Sequence, residues 1–324
     1  MSLLKSVFSK SSSAEQKEWR IIEPGVYSIK DAQDAYYHYL YPSNTQKPLS
    51  VPQKLVVNVV KGSLQKRAIR NRSVPRLPSV IPRLLRSLRD PDCSAKDYVD
   101  IINKDPVMSA AVLKLANSVY FNPIGARIDE IDTAVVKLGI DGLRSVLSAA
   151  VMQPIVQRES PYFSTAGKKM WQHSLCCAVA CELIAEHRGM EKFRMYVMGL
   201  VHDIGKITVF SELCKQYKLN GNDVEPGYNA FVPLLKYMSP AVSYWVAKDW
   251  ELPKEICKAI AEQVTLQKDA KLSPYGHVLY QANLVAETYV TLHKKNPSTA
   301  KTLLSQLDLP TDLYDKLDLL SREV

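Results

Sequence analysis

Apolar residues along this chain recur at three- and four-residue steps, and two-residue alternation is nearly absent, so the pattern predicts helices rather than strands. Leu77, Val80, Ile81, Leu84, Leu85 and Leu88 form one such stripe; Pro78 suits its first turn, whereas Pro82 would kink it. Ser94, three residues before Asp97, opens a helix to about Asn103 through a capping arrangement. Asp105-Pro106 is a second start signal, an N-cap followed by proline at the first helical position. Asn117-Ser118 closes that helix on polar side chains, which either bond locally to the backbone or meet a partner. The next helix, from about Asp129, ends at the cap signature Leu138-Gly139, and Asp141 can cap another that runs to about Met152. Further helices are expected at about 165–187, 191–202, 203–218, 239–249, 254–266, 274–294, 298–307 and 311–323. QPIVQRESPYFST (153–165) separates the two helical halves, and GNDVEPGYN (221–229) is a loop, either a plain connection or a lid.

The N-terminal part reads differently. Residues 1–18 are serine-rich and without periodicity, as in a mobile segment. Asp31 to Leu40 predicts a short helix that stops before Pro42, while LVVNVV (55–60) fits a strand or a buried helical turn equally well. Tyr36, Tyr37, Tyr39 and Tyr41 are expected to be packing surface on an accessory layer rather than a ligand box. The expected fold class is all-α: two packed helical sub-bundles preceded by a partly irregular extension. The boundaries are 1–72 for the basic extension, 73–152 and 153–295 for the sub-bundles, and 296–324 for the C-terminal helices.

Composition narrows the class. The 324 residues are 46% hydrophobic and 23% charged, as in an ordinary globular protein, and no apolar run reaches the ~18–20 residues of a membrane helix. Membrane insertion and secretion are therefore not expected. Cys176, Cys177 and Cys181 share one helix and no CxxC pair exists, which suits reduced core thiols in a cytoplasmic protein. The net charge of +9 arises wholly within residues 1–92, which hold 16 Lys/Arg against 7 Asp/Glu. From Lys61 to Arg89 the chain carries basic residues and no acid. Lys61, Lys66, Arg67, Arg70, Arg72 and Arg76 make a candidate surface for an acidic partner or nucleic acid. The simpler explanation is a solvated helix face, because this run contains no aromatic residue and no nucleic-acid fold motif.

The chemistry concentrates in LVHDIGK (200–206). His202 and Asp203 place a nitrogen ligand beside a carboxylate, half of a divalent metal site, and Lys206 offers a cation to a phosphate. His173 upstream and Asn283 in VLYQANLVAE (278–287) complete a candidate set of His173, His202, Asp203 and Asn283. An amide in the fourth position removes one negative charge and a strong oxygen donor from such a site. Each residue also has an ordinary role. Asp203 can cap a helix, His202 can bind a backbone carbonyl, His173 can lie satisfied beneath Trp171, and Asn283 can bridge helices.

His173 followed by His202-Asp203 in an HDIGK setting resembles the HD superfamily of metal-dependent phosphohydrolases. RLPSVIPRLL (76–85), INKDPVMSAAVLKLANSVYFN (102–122), IDTAVVKLGIDGLRSVL (131–147) and AVSYWVAKDWELPKEICKAI (241–260) extend the likeness. Together they resemble the HDOD family, the HD-related output domains of bacterial signalling proteins, over roughly residues 73–290. That family implies a helical scaffold used in regulation, without demonstrated hydrolase chemistry. Asn283 fits the HDOD pattern rather than that of active hydrolases. Glu262-Gln263 stand where many members carry a histidine pair.

The resemblance thus implies a non-enzymatic regulator without a cofactor, acting on a signalling-protein partner. One alternative is a phosphohydrolase of a nucleotide or cyclic dinucleotide, with manganese, magnesium or iron on His173, His202, Asp203 and Asn283 and with Lys206 on phosphate. Another is a nucleic-acid or nucleotide binder using the basic run at 61–89.

Overall fold

Polar caps open the first helices. In the computed structural model, which describes residues 28–41, 48–66, 73–74, 94–156, 165–219, 228–266 and 269–321, α1 (Ile29–Leu40) begins at Ser28. The Ser28 hydroxyl accepts from Asp31 N at 3.2 Å, and the Asp31 carboxylate accepts from Ser28 N at 2.9 Å. α2 (Val51–Gln65) starts with the same reciprocal pair, Ser50 and Gln53. At the head of α3 (Ala95–Ile102), Asp97 reaches back to Ser94 N at 2.9 Å. Asp105 Oδ1 accepts from Val107 N and Met108 N to open α4 (Pro106–Ala116). Asn117 closes it locally, donating to Leu113 O and Ile128 O and accepting from Ile128 N.

The expected stop at Gly139 is present: α5 (Ile131–Val156) is two helical segments that meet at a kink there. Gly139 has φ 68° and ψ 178°, a combination open essentially to glycine alone, and helix resumes directly after it. The remaining elements are α6 (Ala166–His187), α7 (Lys192–Val201), α8 (Ile204–Leu219), α9 (Tyr228–Asp249) and α10 (Lys254–Glu262). α11 (Pro274–Thr288) runs on into a π-helical turn, Tyr289–His293, and α12 (Pro297–Leu303) and α13 (Leu313–Ser321) complete the chain. No β-strand forms among the described residues. The readings of residues 1–18, of the Leu77–Leu88 stripe and of most of the loops at 153–165 and 221–229 lie outside them, while residues 153–156 end α5 and residues 228–229 begin α9 (Tyr228–Asp249).

Two expectations change. LVVNVV, left between strand and helix, lies inside α2, because Val56, Val60 and Leu64 find a buried face against α8 and α9. α9 starts at Tyr228 rather than near residue 239 and carries Pro233 and Pro240 inside it. Each internal proline forfeits a backbone hydrogen bond, at roughly 3 kcal/mol. Burial of Phe231, Val232, Leu234, Leu235, Met238 and Val242 along the same helix outweighs that loss.

α6 is the central strut. It is buried from Met170 to Cys181, which suits a helix apolar on every side, and it packs against α7, α11, α5 and α13. α3 and α4 gather on α5, which joins α6 and α7. α8 and α9 form a close pair, with α2 laid on both and α1 against α11 and α6. One apolar core runs through all of these helices. Cys176, Cys177, Cys181 and Cys214 sit in it as free thiols.

Candidate functional site

Two glycines fix the HD dipeptide at a helix crossing. A Cβ on Gly199 would come within 2.7 Å of Ala178 Cα and Cys177 O, so α7 can lie this close to α6 only with glycine there. A Cβ on Gly205 would meet Ser239 O at 2.1 Å and Ser243 N at 2.5 Å, and Gly205 N donates to Ser243 Oγ at 2.9 Å. His202 and Asp203 lie between these two contacts, at the turn from α7 to α8.

His173, His202, Asp203, Lys206 and Asn283 converge there. Asp203 Oδ2 is the focus: Lys206 Nζ lies 2.6 Å from it, His173 Nε2 3.2 Å and His202 Nε2 3.5 Å. Donor atoms of His173, His202 and Asp203 all fall within 4.8 Å of one another. His202 Nδ1 donates to Gly199 O at 2.7 Å, and Nε2 faces Asn283 Oδ1 at 3.1 Å. Asn283 Nδ2 in turn donates to Glu287 Oε1 at 3.4 Å. The reading of His173 as a satisfied histidine is corrected. It is fully buried, and among the described residues neither ring nitrogen has a hydrogen bond of good geometry, its Nε2 lying 3.2 Å from Asp203 Oδ2.

The electrostatics follow from burial and from these contacts. Burial drives His173 down to about 4, so it is neutral. Burial opposes charge on His202 too, but Asp203, with Cys177 beside it, carries it up to about 9. Protonated His202 then donates from both nitrogens, to Gly199 O and Asn283 Oδ1. Asp203 stays ionised well below the carboxylate range despite burial, because His202 and Lys206 face it. The Lys206 ammonium is likewise held by Asp203 against the cost of burial. Glu287, 1% exposed, is pushed up to about 8 by burial.

His173, His202 and Asp203 offer three donors that could hold a divalent metal, and Lys206 competes for one of them. A metal would need the Asp203 oxygen that faces both histidines, and the Lys206 ammonium already holds it. The amide of Asn283 adds no negative charge to the set.

The roof comes from α1, whose tyrosines the sequence suggested only as packing. The Tyr36 ring lies 4.4 Å from the His173 ring, and Lys206 Nζ lies 5.2 Å from the Tyr36 centroid and 5.8 Å from that of Tyr37. Tyr39 OH donates to Gln172 Oε1 at 3.2 Å, Lys169 Nζ donates to Tyr39 O at 2.5 Å, and Asp34 pairs with Lys236. What remains is a cavity of about 130 Å³ bordered by Gln33, Tyr37, Lys206, Ser239, Gln263 and Asn283. Of the two residues that replace a histidine pair, Gln263 borders this cavity. Glu262 turns away to accept from Ser273 N and Oγ.

Tyr36, Tyr37 and Glu287 are the site residues that sequence reasoning missed. Only Glu287 carried a signal, being four positions from Asn283 on one helix. The other histidines lie elsewhere: His38 stacks on Tyr228, His187 faces Asp308, His277 faces Arg188, and His293 faces Asp318. Of the basic candidates, Lys61 and Lys66 belong to α2 and its C-cap, while Arg67, Arg70, Arg72 and Arg76 lie outside the described residues.

Fold and site together describe an HD-like helical domain with an occluded centre. The chain belongs to the HDOD domain family, which it matches over residues 74–266. It is 22% identical over 236 residues to an uncharacterized protein of Treponema pallidum (strain Nichols), a match covering 70% of this chain but only 45% of that protein. Similar folds include an HDOD domain protein of unknown function from Geobacter sulfurreducens (TM-score 0.56, 23% identity, 83% of this chain and 93% of that one). A Shewanella amazonensis SB2B protein provisionally named a phosphohydrolase also shares the fold (TM-score 0.55, 21% identity, 85% and 96%). So does a Marinobacter aquaeolei VT8 protein provisionally named for signal transduction (TM-score 0.51, 18% identity, 91% and 64%). At these identities the likeness establishes the fold. No helix among the described residues is long and apolar enough to cross a membrane.

Proposed function

We propose that this protein is a non-catalytic HDOD-domain regulator that passes on a state through contacts with a signalling protein. The observation that carries this reading is the Lys206 ammonium 2.6 Å from Asp203 Oδ2, a cation of the chain itself where a hydrolase needs a metal. Two features support it. The cavity of about 130 Å³ is smaller than the ~300 Å³ at which small-molecule sites begin. Its roof is α1, which precedes the matched family residues and is latched by Tyr39, Lys169 and the Asp34–Lys236 pair.

The hydrolase alternative keeps one argument, the convergence of His173, His202 and Asp203, with His202 Nδ1 fixed on a carbonyl. Metal analysis of the purified chain, with a manganese-supplemented phosphatase assay on nucleotides and cyclic dinucleotides, separates the two. The regulator reading expects no stoichiometric metal and no turnover above that of His202→Ala. Stoichiometric metal with turnover lost in His202→Ala would overturn it.

A further inference from the structure

Helix α2 also precedes the matched family residues and carries two apolar faces. Val56, Val60 and Leu64 are buried against α8 and α9. On the opposite face Val51, Leu55 and Val59 follow at four-residue steps and are 80%, 61% and 44% exposed. Single exposed apolar residues are unremarkable, but an aligned stripe on a helix resembles an uncovered contact.

Gly62 lies on the same outward face, and a Cβ there would meet nothing within 4 Å. Glycine inside a helix costs roughly 1 kcal/mol relative to alanine. Among the described residues, neither crowding nor a positive φ requires it. A second helix backbone crossing the stripe would use that missing side chain.

Charge identifies the visitor. α2 and its C-cap hold Lys54, Lys61 and Lys66 and no acid, and no carboxylate among the described residues lies within ion-pair distance of them. Lys61 Nζ sits 4.6 Å from the centroid of the exposed Tyr237 ring, which extends the patch onto α9. A second copy of α2 would set lysine against lysine. Residues 76–89 of this chain, with four arginines and no acid, have the same sign. A lipid surface would draw on a broader apolar face with aromatic anchors and gains nothing from Gly62.

We propose that the outer face of α2 docks an acidic amphipathic helix of a partner protein. The partner's apolar side lies on Val51, Leu55 and Val59, its backbone crosses nearest Gly62, and its carboxylates meet Lys54 and Lys61. This surface does not depend on whether the HD site holds a metal.

The test uses the full chain and three probes: a synthetic helical peptide with a leucine stripe flanked by glutamates, a scrambled peptide of equal charge, and vesicles containing phosphatidylglycerol. Titration by fluorescence anisotropy is expected to show the striped peptide binding at least tenfold more tightly than the scrambled one. Leu55→Glu and Gly62→Leu are each expected to weaken it at least tenfold, and Lys54→Glu with Lys61→Glu to weaken it further as salt is lowered. Gly62→Ala keeps or raises the unfolding midpoint, so a loss of binding there reports docking rather than folding. Equal binding of both peptides, or indifference to Leu55→Glu, overturns the proposal. Vesicle binding or self-association that is lost in Leu55→Glu while the peptide is ignored also overturns it, in favour of a membrane or a second copy.

Discussion

Lys206 Nζ and Asp203 Oδ2 lie 2.6 Å apart under the Tyr36 ring, so the carboxylate of the HD dipeptide is neutralised from within its own chain. Both groups are nearly buried, and such a pair is costly to break although it adds little net stability over an apolar pair. Lys206→Met is therefore expected to destabilise the protein by about 3–5 kcal/mol in urea unfolding. Lys206→Met with Asp203→Asn should recover most of that loss. Manganese should raise the midpoint of the single variant but not that of the unmodified protein. A single variant of unchanged stability would show that Asp203 is held by something else.

Tyr36 closes the site from α1 and is fully buried. Tyr36→Ala is expected to cost about 3–5 kcal/mol, as for other large aromatic truncations in cores. Hydrogen exchange should quicken first in α1, with α6 and α7 protected as before. Uniform acceleration throughout the chain would mean that α1 is not a separable roof.

Gly205 permits the approach of α8 to α9. Gly205→Ala forces a Cβ onto the Ser239 carbonyl and the Ser243 amide, and is expected to cost at least 1–3 kcal/mol. Gly62→Ala, facing open space, should be neutral or stabilising by about 0.5–1 kcal/mol. Thermal melts of the two variants side by side check this opposition, and a reversed order refutes the packing argument.

Stability should also depend on pH through Glu182 on α6. Burial raises its carboxyl to about 7, partly offset by Lys192, against an ordinary value of 4.5. The native chain thus keeps a proton that the unfolded chain releases. This contribution is complete below pH 4.5 and is lost as pH rises toward 7. Glu182→Gln should flatten the unfolding midpoint across that window, and parallel profiles for the two proteins would rule Glu182 out as the cause.

Much of the local structure was legible because its causes are local. Ser94 with Asp97, and Asp105 with Pro106, satisfy backbone donors within one turn, so spacing alone reveals them. Asp31 to Leu40 was readable from the proline that follows it, although its Ser28 cap and its role were not. α9 was misjudged at its start because proline argues against helix locally, and the burial that overrides it is set by α8 and α10.

In the site, the dipeptide His202-Asp203 stood out by residue type, and its meeting with His173 and Asn283 was implied by their order together with the resemblance to the HD superfamily. Their electrostatic state could not. It depends on Lys206 turning back onto Asp203 rather than outward, and on Tyr36 reaching His173 across more than a hundred residues.

By itself, then, the sequence determined an all-helical chain, because periodicity and capping act over a few residues, while its family and the side chains that would meet at the α7–α8 turn were implied by the resemblance of its motifs. Only the tertiary structure decided that the meeting point is roofed by α1, charge-compensated by Lys206 and reduced to a small cavity. Burial, dielectric and the pairing of distant charges are properties of the packed molecule, and no short stretch of sequence contains them.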